Sequence, residues 1–238
     1  MMGLQGRVAL VTGGAGHLGS AVTKCLLADG ARVVASERHA EKLDELAEAL
    51  GRPEALSTLV CDVTDEAQVQ EMMGRVDDEH GGLDALLNIV GGFAGGETVA
   101  ETNLATWERM MALNLTSLFV CCKHALPLML DADFGRIVSV SSKAADDLPA
   151  KRAAYAVAKA GVLSLTACMA KELAGTGVAC AAVMPSIIDT PATRAARPKA
   201  DTTRWVTPES IADTMTWLIS EEAGAVNGSV LRLYGGLT

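Results

Sequence analysis

The feature that most constrains the fold is a run of glycines between an apolar segment and a helical pattern, VALVTGGAGHLGSAV at residues 8–22. The mainly apolar residues before the glycines show no alternation, as in a strand buried on both faces. From Leu18 onward apolar residues recur at helical spacing. Glycines let the backbone approach a phosphate closely, and a helix N-terminus offers free N–H groups and a partial positive charge. The run therefore predicts a phosphate-binding corner made of a strand, a turn and a helix.

The end of the next apolar segment bears on which dinucleotide would bind. RVVASE ends at Glu37, where a carboxylate would accept hydrogen bonds from ribose hydroxyls. The same carboxylate would repel a 2′-phosphate, which favours NAD(H). Arg38 follows and would attract that phosphate, so NADP(H) stays possible. We expect the repulsion to prevail, because an exposed arginine can turn into solvent.

Strand and helix patterns alternate along the whole chain. Apolar segments without alternation predict strands near 7–12, 32–37, 57–61, 83–90, 135–141, 178–184 and 229–234. Amphipathic patterns between them predict helices, with bounds at 40–50, 65–80 and 208–220. Right-handed crossovers then give an α/β fold, a doubly wound parallel sheet with helices on both faces. Its ligand crevice is expected at the carboxyl ends of the strands.

Three residues in SSKAADDLPAKRAAYAVAK predict acid-base chemistry: Ser142, Tyr155 and Lys159. Tyrosine and lysine four residues apart share one helix face. A tyrosine titrates near ~10, and an ammonium about 5 Å away would favour the phenolate by roughly 3 kcal/mol. Such a pair alone more often forms a solvated stripe, so its weight comes from the other motifs.

Four further segments complete a pattern that resembles the short-chain dehydrogenase/reductase family from residue 6 to residue 236. TGGAGHLG (12–19) is similar to the family's T-G-x-x-x-G-x-G, and CDVTD (61–65) to its adenine-contacting D-V. NIVG (88–91) is similar to N-N-A-G, and MPSIIDTP (184–191) resembles the segment that wraps the nicotinamide. The resemblance implies a Rossmann-fold oxidoreductase that transfers a hydride between a nicotinamide cofactor and a ketone or secondary alcohol.

The resemblance also implies roles for individual residues. Tyr155 would give or take the proton, Lys159 would tune its pKa and bind ribose, Ser142 would orient the carbonyl, and Asn114 would anchor a proton-relay water. The implied cofactor-binding residues are Gly13, Gly16, His17, Leu18, Gly19, Glu37, Arg38, Asp62, Val63, Asn88, Gly91, Tyr155, Lys159, Pro185, Ile188 and Thr190.

Departures from the family pattern leave alternatives open. His17 replaces a glycine of the turn, and Ile89 replaces the second asparagine of N-N-A-G. The segments 91–96 and 200–208 resemble dihydropteridine reductases, which reduce a quinonoid pterin, but Ser142 favours an ordinary ketone or alcohol. A non-catalytic dinucleotide sensor is a third interpretation. A short substrate lid is predicted near 190–206, and its cations are expected to be solvated rather than to bind an anionic substrate: Arg194, Arg197, Lys199 and Arg204.

Composition sets outer bounds. The 238 residues are 50% hydrophobic and no linker divides them, so one domain over 1–238 is expected. The net charge of −9 disfavours nucleic acid and anionic membrane as partners, and uncharged stretches are too short and polar to span a bilayer. Six cysteines without C-x-x-C spacing suggest reduced thiols and a cytoplasmic protein, and no metal site is predicted. The apolar segments 152–175 and 106–130 predict a homotetramer or homodimer.

Overall fold

The computed structural model describes residues 3–237 and contains one seven-stranded sheet in which every neighbouring pair is parallel. The strand order across the sheet is β3-β2-β1-β4-β5-β6-β7. The strands are β1 Val8–Thr12, β2 Arg32–Glu37, β3 Leu56–Val60, β4 Ala85–Asn88, β5 Gly135–Val140, β6 Val178–Pro185 and β7 Val230–Leu233. The order reverses between β1 and β4, which creates the crevice where such sheets bind ligands.

Nine α-helices connect or follow these strands in the described part of the chain. They are α1 His17–Ala28, α2 Ala40–Ala49, α3 Glu66–His80, α4 Leu104–Met111, α5 Ser117–Asp131, α6 Ala144–Asp147, α7 Ala153–Glu172, α8 Pro191–Ala196 and α9 Pro208–Leu218. A π-helical turn, Ala112–Thr116, joins α4 to α5, and a 3-10 turn, Glu222–Val226, precedes β7.

The core has two main layers because successive strand residues point to opposite faces of the sheet. Leu10 belongs to a cluster with the buried residues of α3, α5 and α7. Its neighbour Val11 belongs to a second cluster with those of α1 and α9. A smaller cluster packs α2 on Ala35. The central strands are buried on both faces, as their unbroken apolar patterns predict.

The predicted fold class is confirmed, and the differences in element bounds are small. β4 is shorter than the predicted 83–90 because the Ile89 N–H turns to the Thr12 hydroxyl, 3.2 Å away, rather than to a neighbouring strand. α9 begins as its sequence indicates. Thr207 caps the helix by accepting from the Ser210 N–H at 3.2 Å, and Pro208 is its first residue.

The helix predicted through 106–130 contains an irregularity that matters for the site. The π-helical turn inserts an extra residue into the helical repeat and carries Asn114, which is 2% exposed. Such turns are frequent at functional sites. This one places the Asn114 side chain against the segment that follows β4.

Two helical segments are long and apolar enough to cross a membrane by length and composition alone. They are Leu104–Asp131 and Ala153–Glu172. The prediction from uncharged stretches did not single them out, because charged residues interrupt both. In the structure their buried residues, including Leu118 and Val162, form part of the first core cluster against the sheet.

Candidate active site

The glycine-rich turn forms a cradle that side chains would fill. Gly13 has φ +69°, a conformation that favours glycine. A Cβ at Gly19 would lie 2.0 Å from the Gly13 carbonyl oxygen, so only glycine fits there. No side chain caps the N-terminus of α1 at Gly16, and its first turn carries no acidic residue. The exposed N–H groups suit a phosphate.

A cavity of about 600 Å³ opens beside this cradle, a volume typical of sites for small ligands. Ten predicted cofactor-binding residues line it: Gly13, Gly16, His17, Leu18, Gly19, Glu37, Arg38, Asp62, Val63 and Gly91. The sequence analysis missed seven other lining residues: Cys61, Thr64, Ile89, Val90, Arg109, Ala112 and Leu113. Four of these residues lie within the motifs CDVTD and NIVG, which follow or end β3 and β4: Cys61, Thr64, Ile89 and Val90. The other three are Arg109, Ala112 and Leu113. No sequence pattern predicted that they line the cavity, apart from their closeness to Asn114 in the chain.

Hydrogen bonds within the protein orient the polar side chains at the end of β2 and across the cavity from it. The Glu37 carboxylate accepts from the Arg38 N–H at 3.0 Å, which turns it back over the strand end. The Arg38 guanidinium donates instead to the His39 ring at 3.0 Å. Across the cavity, the Thr64 hydroxyl and N–H donate to Asp62 at 2.7 and 2.9 Å. These hydrogen bonds hold the pKa of the Asp62 carboxyl below its ordinary value.

Six predicted cofactor residues do not line this cavity: Asn88, Tyr155, Lys159, Pro185, Ile188 and Thr190. The Asn88 amide donates to the Cys122 sulfur on α5, 3.6 Å away, and its contact with a cofactor stays a prediction. Pro185 closes β6 and accepts from the Lys143 N–H. Thr190 caps α8 with its hydroxyl. Ile188 pairs with Val206 in an isolated bridge. The last three follow β6 at the same sheet edge, and their contact with a nicotinamide stays a prediction.

The two departures from the family pattern are accommodated in simple ways. His17 begins α1 on the protein surface, where its ring is exposed at the mouth of the cavity. Ile89 packs against the second core cluster, so an apolar contact replaces the polar brace of the family pattern.

Tyr155 lies in the first turn of α7, and its environment differs from the expectation. Burial raises the pKa of the Tyr155 phenol. Contact with the Ser142 hydroxyl and the positive charge of Arg152 act in the opposite direction but do not overcome burial. The predicted lowering by Lys159 is not seen in this structure, because that ammonium is directed elsewhere.

Lys159 is 4% exposed, and its ammonium donates to the Val140 carbonyl oxygen at 2.8 Å. Burial lowers the pKa of Lys159 from its ordinary 10.5 to about 8. The Ser141 hydroxyl donates to the Lys159 carbonyl oxygen, also at 2.8 Å. Two hydrogen bonds of opposite direction therefore join α7 to the end of β5.

Asn114 and Lys159 converge on Gly91, the last residue of the NIVG motif. A Cβ there would lie 2.9 Å from the Asn114 Oδ1 and 3.1 Å from the Lys159 Nζ. The Asn114 amide also donates to the carbonyls of Met110 and Gly92, and its Oδ1 accepts from the Gly92 N–H. These contacts give Asn114 a definite role in holding the turn after β4. Its role as an anchor for a relay water stays a prediction.

Comparison with known proteins agrees with this geometry. A family model described as short chain dehydrogenase matches residues 7–201. The 3-oxoacyl-(acyl-carrier-protein) reductase FabG of Thermotoga maritima is 34% identical over 245 residues, covering 99% of each chain. Cis-4-hydroxycyclohexanecarboxylate dehydrogenase of Sinomonas cyclohexanicum is 37% identical, covering 98% of this chain and 96% of that protein. The crystal structure of gox2181 matches with a TM-score of 0.94 and 28% identity, covering 99% and 97% of the two chains.

The chain therefore belongs to the short-chain dehydrogenase/reductase family. It is an oxidoreductase that acts on CH–OH or C=O groups with a nicotinamide cofactor, as the sequence motifs indicated.

The buried ammonium generates a test based on stability. Below pH 8 Lys159 is charged in both the folded and unfolded states, so folding carries the full burial penalty; that penalty disappears as pH rises from about 8 to 10.5. We expect Lys159→Met to raise the free energy of unfolding by roughly 1–3 kcal/mol at pH 7 and by much less at pH 10. Urea unfolding at both pH values measures the difference.

Lys171→Met is the matched control, because Lys171 is exposed in the last turn of the same helix. It should change stability little at either pH. A Lys159→Met variant less stable than wild type at pH 7 would show that burial of this ammonium carries no net penalty.

Proposed function

We propose that Ser142, Tyr155 and Lys159 carry out the proton transfer that accompanies reversible hydride transfer to a ketone. The observation that carries this proposal is the attachment of α7 to the end of β5, which sets Tyr155 beside Ser142 and places the Lys159 ammonium next to Gly91. When bound, the nicotinamide exchanges a hydride with the reacting carbon.

The chain's own residues supply alignment and the proton. In the reducing direction Ser142 and Tyr155 donate hydrogen bonds to the carbonyl oxygen as negative charge grows on it, and Tyr155 transfers its proton to that oxygen. In the oxidising direction the phenolate takes the proton from the alcohol. A phenol with a raised pKa holds its proton at neutral pH, so the ammonium of Lys159 is needed to stabilise the phenolate.

Cofactor recognition is assigned to the cradle and the cavity. The N–H groups at the start of α1 would bind the pyrophosphate, and the Asp62 and Val63 segment would meet the adenine. NAD(H) is the proposed preference. Glu37 and Arg38 both line the cavity, but the Arg38 guanidinium is engaged by His39, which supports repulsion over attraction at a 2′-phosphate.

The segment 190–206 is proposed as a small substrate lid. Two of its cations have partners within the protein: Arg194 forms a two-pronged ion pair with Asp189 at 2.6 and 2.7 Å, and Arg204 donates to the Gly236 carbonyl. These contacts support the expectation that the lid cations do not serve substrate binding.

Self-association and location are also proposals. Large apolar side chains remain exposed on α4, α5 and α7: Leu104, Trp107, Phe119, Leu130 and Val157. Such a surface on helices that also pack on the sheet supports a homotetramer or homodimer.

All six cysteines are free thiols, four of them buried, which supports a reducing compartment such as the cytoplasm.

The activity test is a screen of ketones, secondary alcohols and a quinonoid pterin with NAD(H) and NADP(H), followed by absorbance of the reduced nicotinamide. Turnover of ketones or alcohols supports the proposal. Turnover of the pterin alone would favour the pterin alternative, and cofactor binding without turnover would favour the sensor.

Replacement of the proton donor is the first prediction from this mechanism. Tyr155→Phe should lower kcat by at least ~100-fold, the low end of what a positioned acid-base group contributes, with cofactor affinity nearly unchanged. Tyr234→Phe is a matched control, because the chain's other tyrosine donates to Asp146 on the surface. Near-normal turnover by Tyr155→Phe would rule out the assigned proton donor.

Cofactor choice gives a second prediction. Wild type should prefer NAD(H) by roughly 5- to 150-fold in kcat/KM, from about 1–3 kcal/mol of repulsion at Glu37. Glu37→Ser should erode or reverse this preference, because Arg38 then acts unopposed. Glu45→Ser, an exposed change on α2, should leave it intact. A wild type that runs faster on NADPH at equal low concentration would contradict the assignment.

Assembly gives a third prediction. Light scattering at micromolar concentration should show a dimer or tetramer. The double variant Phe119→Glu with Val157→Glu should shift the population to monomer, because each change places a charge on the proposed interface. Val99→Glu is the control, since Val99 is 76% exposed and lies outside these helices. A monomeric wild type would defeat the proposal.

A further inference from the structure

A second, smaller cavity of about 160 Å³ lies between the segment after β4 and the start of α7, and its lining ends at Ala154, the residue before Tyr155 in the chain. Its polar lining includes the cations Lys151 and Arg152, the carboxylate of Glu97, and the hydroxyl residues Thr102 and Thr106. Positive charge exceeds negative charge in this lining. The cavity is separate from the cofactor cavity and shares no lining residue with it.

Arg152 is held one aromatic ring away from the proposed proton donor. Its guanidinium carbon lies 5.4 Å from the centre of the Phe93 ring. The Phe93 ring meets the Tyr155 ring edge to face, with their centres 5.2 Å apart. Arg152 is the residue that immediately precedes α7, three positions before Tyr155 in the chain. The charge of Arg152 acts on Tyr155, whose pKa it lowers.

Backbone contacts on both sides of Arg152 restrict the position of its side chain near Phe93. Lys151 has φ +62°, an unusual conformation for a residue with a side chain, and its carbonyl accepts from the Gly96 N–H at 2.8 Å. Gly95 packs against the arginine stem, since a Cβ at Gly95 would lie 3.0 Å from the Arg152 Cγ. The arginine is therefore fixed by close packing rather than extended into solvent.

The guanidinium has hydrogen-bonding capacity to spare. Within residues 3–237 no carboxylate forms an ion pair with it, although Glu97 lines the same cavity. The guanidinium lies over the Phe93 ring, and the N–H groups along its edges have no carboxylate partner among the described residues. Those edges match a carboxylate, which can accept two parallel hydrogen bonds.

We propose that Arg152 binds a carboxylate of the substrate, so that the enzyme acts on small ketones or secondary alcohols carrying a carboxylate a few bonds from the reacting carbon. The inference rests on the proposed role of Tyr155, because the two groups would bind opposite ends of one molecule. The position of Arg152 beyond Phe93 sets the length of substrate that reaches both.

Acetoacetate and levulinate are suitable probes, each compared with its neutral amide in the presence of the reduced cofactor. Wild type should favour each acid over its amide in kcat/KM. Arg152→Gln should raise KM for the acids by roughly 10- to 100-fold, the range expected for one charge-assisted contact, and should change KM for the amides little. Any change in kcat from the loss of positive charge near Tyr155 should be the same for acid and amide. Arg152→Lys should retain part of the preference. Arg75→Gln, which removes an exposed cation on α3, should change neither substrate.

Binding separates this inference from the proposed mechanism. Calorimetry with cofactor-loaded Tyr155→Phe measures acid and amide affinity without turnover, and the same measurement on Tyr155→Phe with Arg152→Gln isolates the arginine. Tighter binding of the acids that is lost with Arg152 supports the proposal even if turnover is absent. Equal binding of acids and amides, or an equal loss for both, would overturn it while leaving ketone reduction by Tyr155 intact.

Discussion

The site depends on the attachment of α7 to the end of β5. The Lys159 ammonium donates to the Val140 carbonyl, and the Ser141 hydroxyl donates to the Lys159 carbonyl. Both hydrogen bonds are buried, where an unmade polar contact is costly. They fix the rotation of α7, whose first turn carries Tyr155. Their β5-side partners, Val140 and Ser141, immediately precede Ser142 in the chain. Without these hydrogen bonds, the position of Tyr155 relative to Ser142 would not be fixed.

A glycine, Gly91, lies where the side chains of Asn114 and Lys159 meet. Because Gly91 lacks a side chain, the Asn114 amide and the Lys159 ammonium can both lie within about 3 Å of the position that its Cβ would occupy. The π-helical turn brings Asn114 to that point and ties it to the backbone of Gly92. Two helices and the end of β4 are therefore joined around a single glycine, and the cofactor cavity opens next to it.

Charge at the site is set more by burial than by pairing. Burial raises the pKa of Tyr155 and lowers that of Lys159 to about 8, so in both residues it favours the uncharged form. Considered as an isolated pair, Tyr155 and Lys159 predict a lowered tyrosine pKa, because the effect of burial does not enter. Arg152, held against Phe93, is the cation whose charge the structure shows acting on the phenol.

The sequence by itself determined the fold class and the glycine-rich turn after β1, because both depend on local patterns. Unalternating apolar strands require cover on both faces, and glycines at 13 and 19 mark a turn that no larger residue fits. Only the tertiary structure decided which way side chains point. It turned Asn88 toward Cys122, brought Arg109 to the cofactor cavity and set Arg152 beside Tyr155. Spacing along the chain fixes the face of one strand or helix, whereas these contacts depend on how separate elements pack.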